Sequence, residues 1–174
     1  MGKNQYIVKF AGLPVGSHEF EFEVKDKFFE QINDSEIKSA DLKVNLTLLK
    51  QGTLMQMIFK IEGTVEMDCD RCLTPYDFPI KAESTLIVKH GNPDEGNDEV
   101  LVIPEGAGEA DISHYLYEYI ILALPSRKIP CEIEEDFECD EETLLKFNEN
   151  AVQEEKEEVN PIWEQLKKIK FNKN

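Results

Sequence analysis

The chain has 174 residues, 41% of them hydrophobic and 32% charged, with a formal charge of −17. That is long enough for one domain to bury a core without disulfide staples. So acidic a chain is a poor unaided binder of nucleic acid, because affinity for phosphate comes from Lys and Arg displacing condensed counterions; a basic protein partner suits it better. The N-terminus MGKNQYIVKF lacks an apolar signal core, and nowhere do about 18 apolar residues follow one another. The expectation is a soluble cytoplasmic protein with no membrane contact, in which four cysteines serve as thiols or metal ligands rather than disulfides.

In chain order, HEFEFEV alternates Phe20, Phe22 and Val24 against Glu19, Glu21 and Glu23, the period of a half-buried strand. DKFFEQI reads as a short helix. From Leu42 the alternation returns as Val44, Leu46 and Leu48, breaks at Gln51-Gly52, and resumes as Met57, Phe59, Ile61, Val65 and Met67, which predicts a β-hairpin. After DCDRCLTPY a third long run sets Phe78, Ile80, Ala82, Leu86 and Val88 on one face, so Cys69 and Cys72 are placed at a hairpin tip. GNPDEGNDE is a loop by composition, VLVI a short strand and PEGAGEA another loop.

DISHYLYEYIILALP changes to helical spacing. Asp111 is the expected N-cap and Pro125 the stop. Ile112, Leu116, Tyr119, Ile120 and Ala123 form an apolar stripe, widened by Tyr115 and Leu122, that closes the open face of the sheet.

Residues 132–158 hold thirteen Asp or Glu against two Lys, a net of −11. Little in this segment is apolar enough to offset the entropy of ordering a chain, so it is expected to be largely disordered, with a short turn at ETLLKF at most. NPIWEQLKKIKF recovers a pattern, with Asn160 as cap, Pro161 at the first helical position, and Trp163, Leu166 and Ile169 on one face. Lys167, Lys168 and Lys170 complement the dipole at its end. The predicted organisation is an α+β domain over 1–131, an acidic flexible segment over 132–160 and a C-terminal amphipathic helix over 161–174. Its sheet is mainly antiparallel, strongly curved and closed by one long helix.

Cys69 and Cys72 admit three readings. Two thiolates on a tight turn can grip one tetrahedral metal, with Cys131 and Cys139 as the second pair, although seven residues between these two is an irregular spacing. They can also be plain packed thiols, or a redox couple. The redox reading ranks last, because a thioredoxin-like pair opens a helix whose dipole lowers the thiol pKa, whereas here Asp68 and Asp70 work the other way. A four-thiolate zinc site would be closed to substrate and therefore structural. No phosphate-binding loop, dinucleotide fingerprint, metalloprotease motif or nucleophile elbow occurs, which points away from an enzyme. Glu118, between Tyr117 and Tyr119, is expected on a solvated helix face, with the anchoring of a neighbouring loop as the alternative.

Three separated features, CDRCL between strands, EYIILALPSRKIPC running from a helix into a third cysteine, and NPIWEQLKKIK at the end, resemble the bacterial YceD family of large ribosomal RNA subunit accumulation proteins. The resemblance runs from about Asp41 to Lys170. It carries the family markers onto Cys69, Arg71, Cys72, Leu73, Glu118, Leu122, Leu124, Pro125, Pro130, Cys131, Pro161, Trp163 and Leu166. Two departures stand out: many members carry a richer cysteine cluster ending in a C-P-x-C-G-like knuckle, where only Cys139 follows here, and the tail has Asn160, Pro161, Ile162 and Trp163 in place of D-P-R-W.

The resemblance implies a non-enzymatic role in large-subunit (23S) rRNA accumulation, with relatives in bacteria and plastids. Charge adds the expected partner, a ribosomal protein or large-subunit precursor with indirect RNA contact, and leaves the oligomeric state open. The alternative is direct RNA binding through Trp163, Lys167, Lys168 and Lys170, with a small zinc-binding or thiol-redox protein behind it.

Overall fold

A computed structural model describes residues 5–30, 32, 35–52, 54–97, 100–132, 134 and 137–150. The expectations placed on Pro161, Trp163, Leu166, Lys167, Lys168 and Lys170 lie outside them. Residues up to Cys139 form one compact unit and those from Asp140 another.

Among the described residues of the first unit are seven strands and two α-helices: β1 (Ile7–Lys9), β2 (Gly16–Lys25), α1 (Asp26–Phe29), β3 (Ser39–Gln51), β4 (Leu54–Asp68), β5 (Pro75–His90), β6 (Val100–Ile103), β7 (Glu109–Asp111) and α2 (Ser113–Ala123). The main sheet has the order β2-β3-β4-β5-β6. Its first three pairings are antiparallel and β5 with β6 is parallel. The α+β class with a mainly antiparallel sheet therefore holds.

The hairpin expected around Gln51-Gly52 forms, with Gln51 opposite Leu54 and Gly52 at positive φ. Every residue predicted to face inward on β3 and β4 is buried, and on β5 Phe78, Ile80, Leu86 and Val88 are buried with Ala82 half so. Two-residue periodicity fixes the register, since a slip by one would turn this whole set into water.

α2 packs on β5, and Tyr119 reaches β4 through an edge contact with Phe59 at 5.3 Å. Ile112, Leu116 and Ile120 are fully buried. Leu122 does not widen the stripe as expected: it is 81% exposed, because the helix turns that position away from the sheet. Asp111 sits one residue earlier than the cap expected of it, at the end of β7, yet its carboxylate still accepts from the Ser113 N–H at 2.9 Å and the Ser113 hydroxyl at 2.6 Å. The helix ends at Ala123, and Leu124, ahead of Pro125, is extended.

PEGAGEA is not wholly loop. Its last residues enter β7 and pair with β1, and the Gly108 carbonyl takes N–H bonds from Phe10 and Ala11. A three-residue strand with one buried residue, Ala110, has no period to read in the sequence. In the second unit the acidic stretch holds α3 (Glu141–Asn150) rather than a short turn. Its N-terminus explains the difference. The Asp140 carboxylate accepts from the N–H groups of Glu142 and Thr143, Glu141 and Glu142 sit on the positive end of the dipole, and Lys146 pairs with Glu142 one turn back. No helix among the described residues is long and apolar enough to cross a membrane.

Candidate metal centre

The tip between β4 and β5 folds back on itself. The Cys69 N–H donates to the Thr74 carbonyl at 2.9 Å and the Leu73 N–H to the Cys69 carbonyl at 3.0 Å. Leu73 is left-handed at φ 59, the one described non-glycine residue with positive φ, and is 57% exposed. That conformation costs roughly 1–2 kcal/mol for an L-residue. Within the turn the Arg71 N–H donates to Cys69 Sγ at 3.4 Å. Both sulfurs point inward: Cys69 and Cys72 are buried.

The chain after α2 brings the other pair. The Asp70 N–H donates to the Lys128 carbonyl at 2.8 Å, and the Lys128 N–H returns a bond to the Asp70 carboxylate at 2.7 Å. This reciprocal clasp, between residues 58 apart in sequence, lays the segment ending in Cys131 against the knuckle. Lys128 Nζ also reaches Glu36 at 2.6 Å, and Lys38 reaches Asp68 at 2.6 Å, so the loop before β3 is tied to the same tip. Buried Ile129 and Pro130 follow, then a 3₁₀ turn at Pro130–Glu132. Phe137 packs edge-on against Tyr76 at 5.3 Å and returns the chain to the tip at Cys139.

The result is a cluster. The sulfurs of Cys69, Cys72 and Cys139 all lie within 4.8 Å of one another, and Cys131 Sγ lies 3.0 Å from Cys139 Sγ. Thiolates about 2.3 Å from one tetrahedral zinc stand roughly 3.8 Å apart, so the donor set fits such an ion. Of the four cysteines, three form the mutually close group and Cys131 joins it through Cys139. The Arg71 guanidinium donates toward Cys131 Sγ at 3.8 Å. The Cys131 contact first, then burial and Cys72, push the Cys139 thiol up to about 12, so this sulfur holds its proton until a cation takes its place.

The other expectations fall elsewhere. No helix begins at Cys69 or Cys72, so the dipole that a redox pair needs is missing there. Glu118 accepts from His114 at 3.0 Å and borders an open cleft of about 330 Å³ with Pro93, Asn97 and Leu101. It thus faces a neighbouring loop rather than the thiols. Asp70 was missed as a site residue. The sequence shows it only as a carboxylate beside two thiols, and its partner is a backbone group no motif can mark.

Replacing Asp70 with Ala removes the carboxylate half of the clasp and leaves the backbone bond from the Asp70 N–H to the Lys128 carbonyl. The segment around Cys131 is expected to loosen, with a loss of about 1–2 kcal/mol and faster amide exchange at Lys128. Unchanged exchange there would show that the carboxylate bond does not hold the segment.

Tyr76 gives a pH signature. A hydrogen bond with Glu134 first, then burial, push its hydroxyl up to about 12 from the ordinary 10.0. A raised acid stabilises the fold fully below its unfolded pKa and loses that contribution as pH climbs through the folded one. Glu134 and Phe137 are therefore expected to detach from Tyr76 progressively between pH 10 and 12, and Tyr76→Phe to abolish that dependence. Phe137 line shapes followed by NMR through the alkaline range check this; identical titrations in both proteins would refute it.

No curated protein and no solved structure matches the chain significantly. The family model described as large ribosomal RNA subunit accumulation protein YceD matches residues 57–170, which takes in the knuckle, α2 and all four cysteines. Matched over more than half its length, the chain belongs to the YceD family of large ribosomal RNA subunit accumulation proteins.

Proposed function

We propose that the chain is a non-enzymatic cytoplasmic factor that supports accumulation of 23S rRNA by contacting a basic ribosomal protein or a large-subunit precursor. The observation that carries this reading is the family match over residues 57–170. The clustered cysteines support a structural zinc held by Cys69, Cys72, Cys131 and Cys139: four thiolates leave no open position for substrate, so the ion would brace the fold rather than do chemistry. The charge of −17 supports a protein contact over a bare RNA contact. Acidic surface imitates phosphate, and a basic ribosomal protein held on it is released when rRNA displaces it.

Recovery of the chain with its partners from its own cells tests this. Large-subunit ribosomal proteins should stay bound after nuclease treatment. Recovery that vanishes with nuclease would make RNA the bridge, and recovery of neither would leave the ribosomal role without support. Affinity for an isolated basic ribosomal protein should fall at least tenfold between ~50 and ~300 mM salt, as screening of exposed charge requires. A salt-independent affinity would exclude the phosphate-mimic mechanism.

A further inference from the structure

The edge strand β2 carries information that neither the cysteine cluster nor the family match uses, since residues 16–25 precede the matched region. Among the described residues β2 pairs only with β3, over all ten of its positions. A strand paired on one side directs alternate N–H and C=O groups outward, and ten residues is long for an unprotected edge.

The outer face of the sheet shows what such an edge would accept. Cross-strand register aligns Glu23, Lys43, Glu62 and Lys81 in one row of alternating charge, with Glu62 and Lys81 joined at 3.0 Å. The row ends at the edge on a glutamate. Glu21 and Glu19, on the same face of β2, stand opposite Asn45 and Thr47, and among the described residues neither forms an ion pair. Cations on the next strand, spaced two residues apart, would continue the pattern.

On the inner face Phe20 and Phe22 are only half-buried, although they point to the core. An open cleft of about 410 Å³ runs along Glu21–Glu23 and Lys43–Asn45. At one end the Tyr6 hydroxyl already donates to the Glu23 carbonyl at 3.0 Å, which limits the open stretch to Ser17–Phe22. A second copy of this chain is a poor occupant, because two β2 strands side by side oppose glutamate to glutamate.

We propose that β2 is a docking edge for an extended Lys/Arg-rich peptide, which adds as a strand beside Ser17–Phe22. Its alternate cations meet Glu19, Glu21 and Glu23, and the side chains between them cover Phe20 and Phe22. This deepens the proposed function by naming where a basic partner is gripped. The test is separable from it, because a pull-down judges the ribosomal partner and a synthetic peptide judges the edge.

The experiment titrates the full-length chain against a fluorescein-labelled ten-residue peptide with Lys at every second position and Val or Thr between. Parallel titrations use a peptide of the same composition with its lysines in one block, and one N-methylated along a single backbone edge. The alternating peptide should bind at least tenfold more tightly than either control. Glu19→Lys with Glu21→Lys should weaken it at least tenfold while leaving the thermal unfolding of the chain unchanged. A full-length variant with Glu154, Glu155, Glu157 and Glu158 changed to Gln should bind within about twofold of the parent. Binding that ignores N-methylation and lysine spacing, or that follows the tail carboxylates instead of β2, would overturn the proposal. So would absence of binding, or self-association of the chain that buries β2.

Discussion

Changing Cys69 to Ser, or stripping the chain with a strong chelator, is expected to lower stability by on the order of 4 kcal/mol, a fall in Tm of roughly 10 °C, and to do so locally. Locality follows from construction. The inward-facing residues of β3, β4 and β5 are buried in one core cluster with Leu116 and Ile120 of α2, whereas Lys128, Phe137 and Cys139 depend on the tip through the Asp70 clasp, the Tyr76–Phe137 contact and the thiols. Amide exchange should therefore rise at Asp70, Lys128 and Cys139 while the central strands keep their protection. Cys131→Ser is expected to cost less, because Cys131 lies outside the mutually close group of Cys69, Cys72 and Cys139 and is less buried than Cys69 and Cys72. Equal and global destabilisation by all four serine variants would instead mean that the thiols are ordinary core packing.

Gly63→Ala is expected to be as damaging without touching the site. Gly63 lies in the middle of β4 at φ 147, a conformation that L side chains rarely adopt, and a Cβ there would stand 2.1 Å from the Asp41 carbonyl oxygen and 2.9 Å from Leu42 Cα on β3. Both obstacles are backbone, so relief requires β3 and β4 to part where Leu42 faces Gly63. A loss of about 3 kcal/mol is expected, from the strained dihedral and the broken ladder together. Urea unfolding measures it. A change below about 0.5 kcal/mol would mean that the β3–β4 pair yields at little cost.

Much of the fold is legible in the sequence, and the reason is periodicity. Leu42 to Leu48, Met57 to Met67 and Phe78 to Val88 alternate long enough that only one register buries them all. Elements held by one or two contacts carry no such signal. β1 and β7 pair over three residues, and β7 buries Ala110 alone. Leu122 misleads because apolar character suggests burial, while the helix phase set by Leu116 and Ile120 puts it outside. α3 was hidden by net charge, since Asp140, Glu141 and Glu142 count against a core but favour a helix start.

The cysteine site divides in the same way. Cys69 and Cys72 announce themselves by spacing. Cys139 is brought to them by a 3₁₀ turn and by Phe137 on Tyr76, neither of which any spacing rule contains. Asp70 acts through a backbone partner 58 residues away, a relation that appears only once the chain is folded.

We propose that four cysteines from two distant segments make one closed structural metal centre. Elemental analysis of the full-length chain, purified without chelator and compared with its Cys69→Ser and Cys139→Ser variants, tests it directly. The expected result is one zinc per chain in the parent and far less in both variants, with proton release on reloading. A parent chain that carries no metal and binds none when zinc is supplied, or variants that hold as much as the parent, would contradict it.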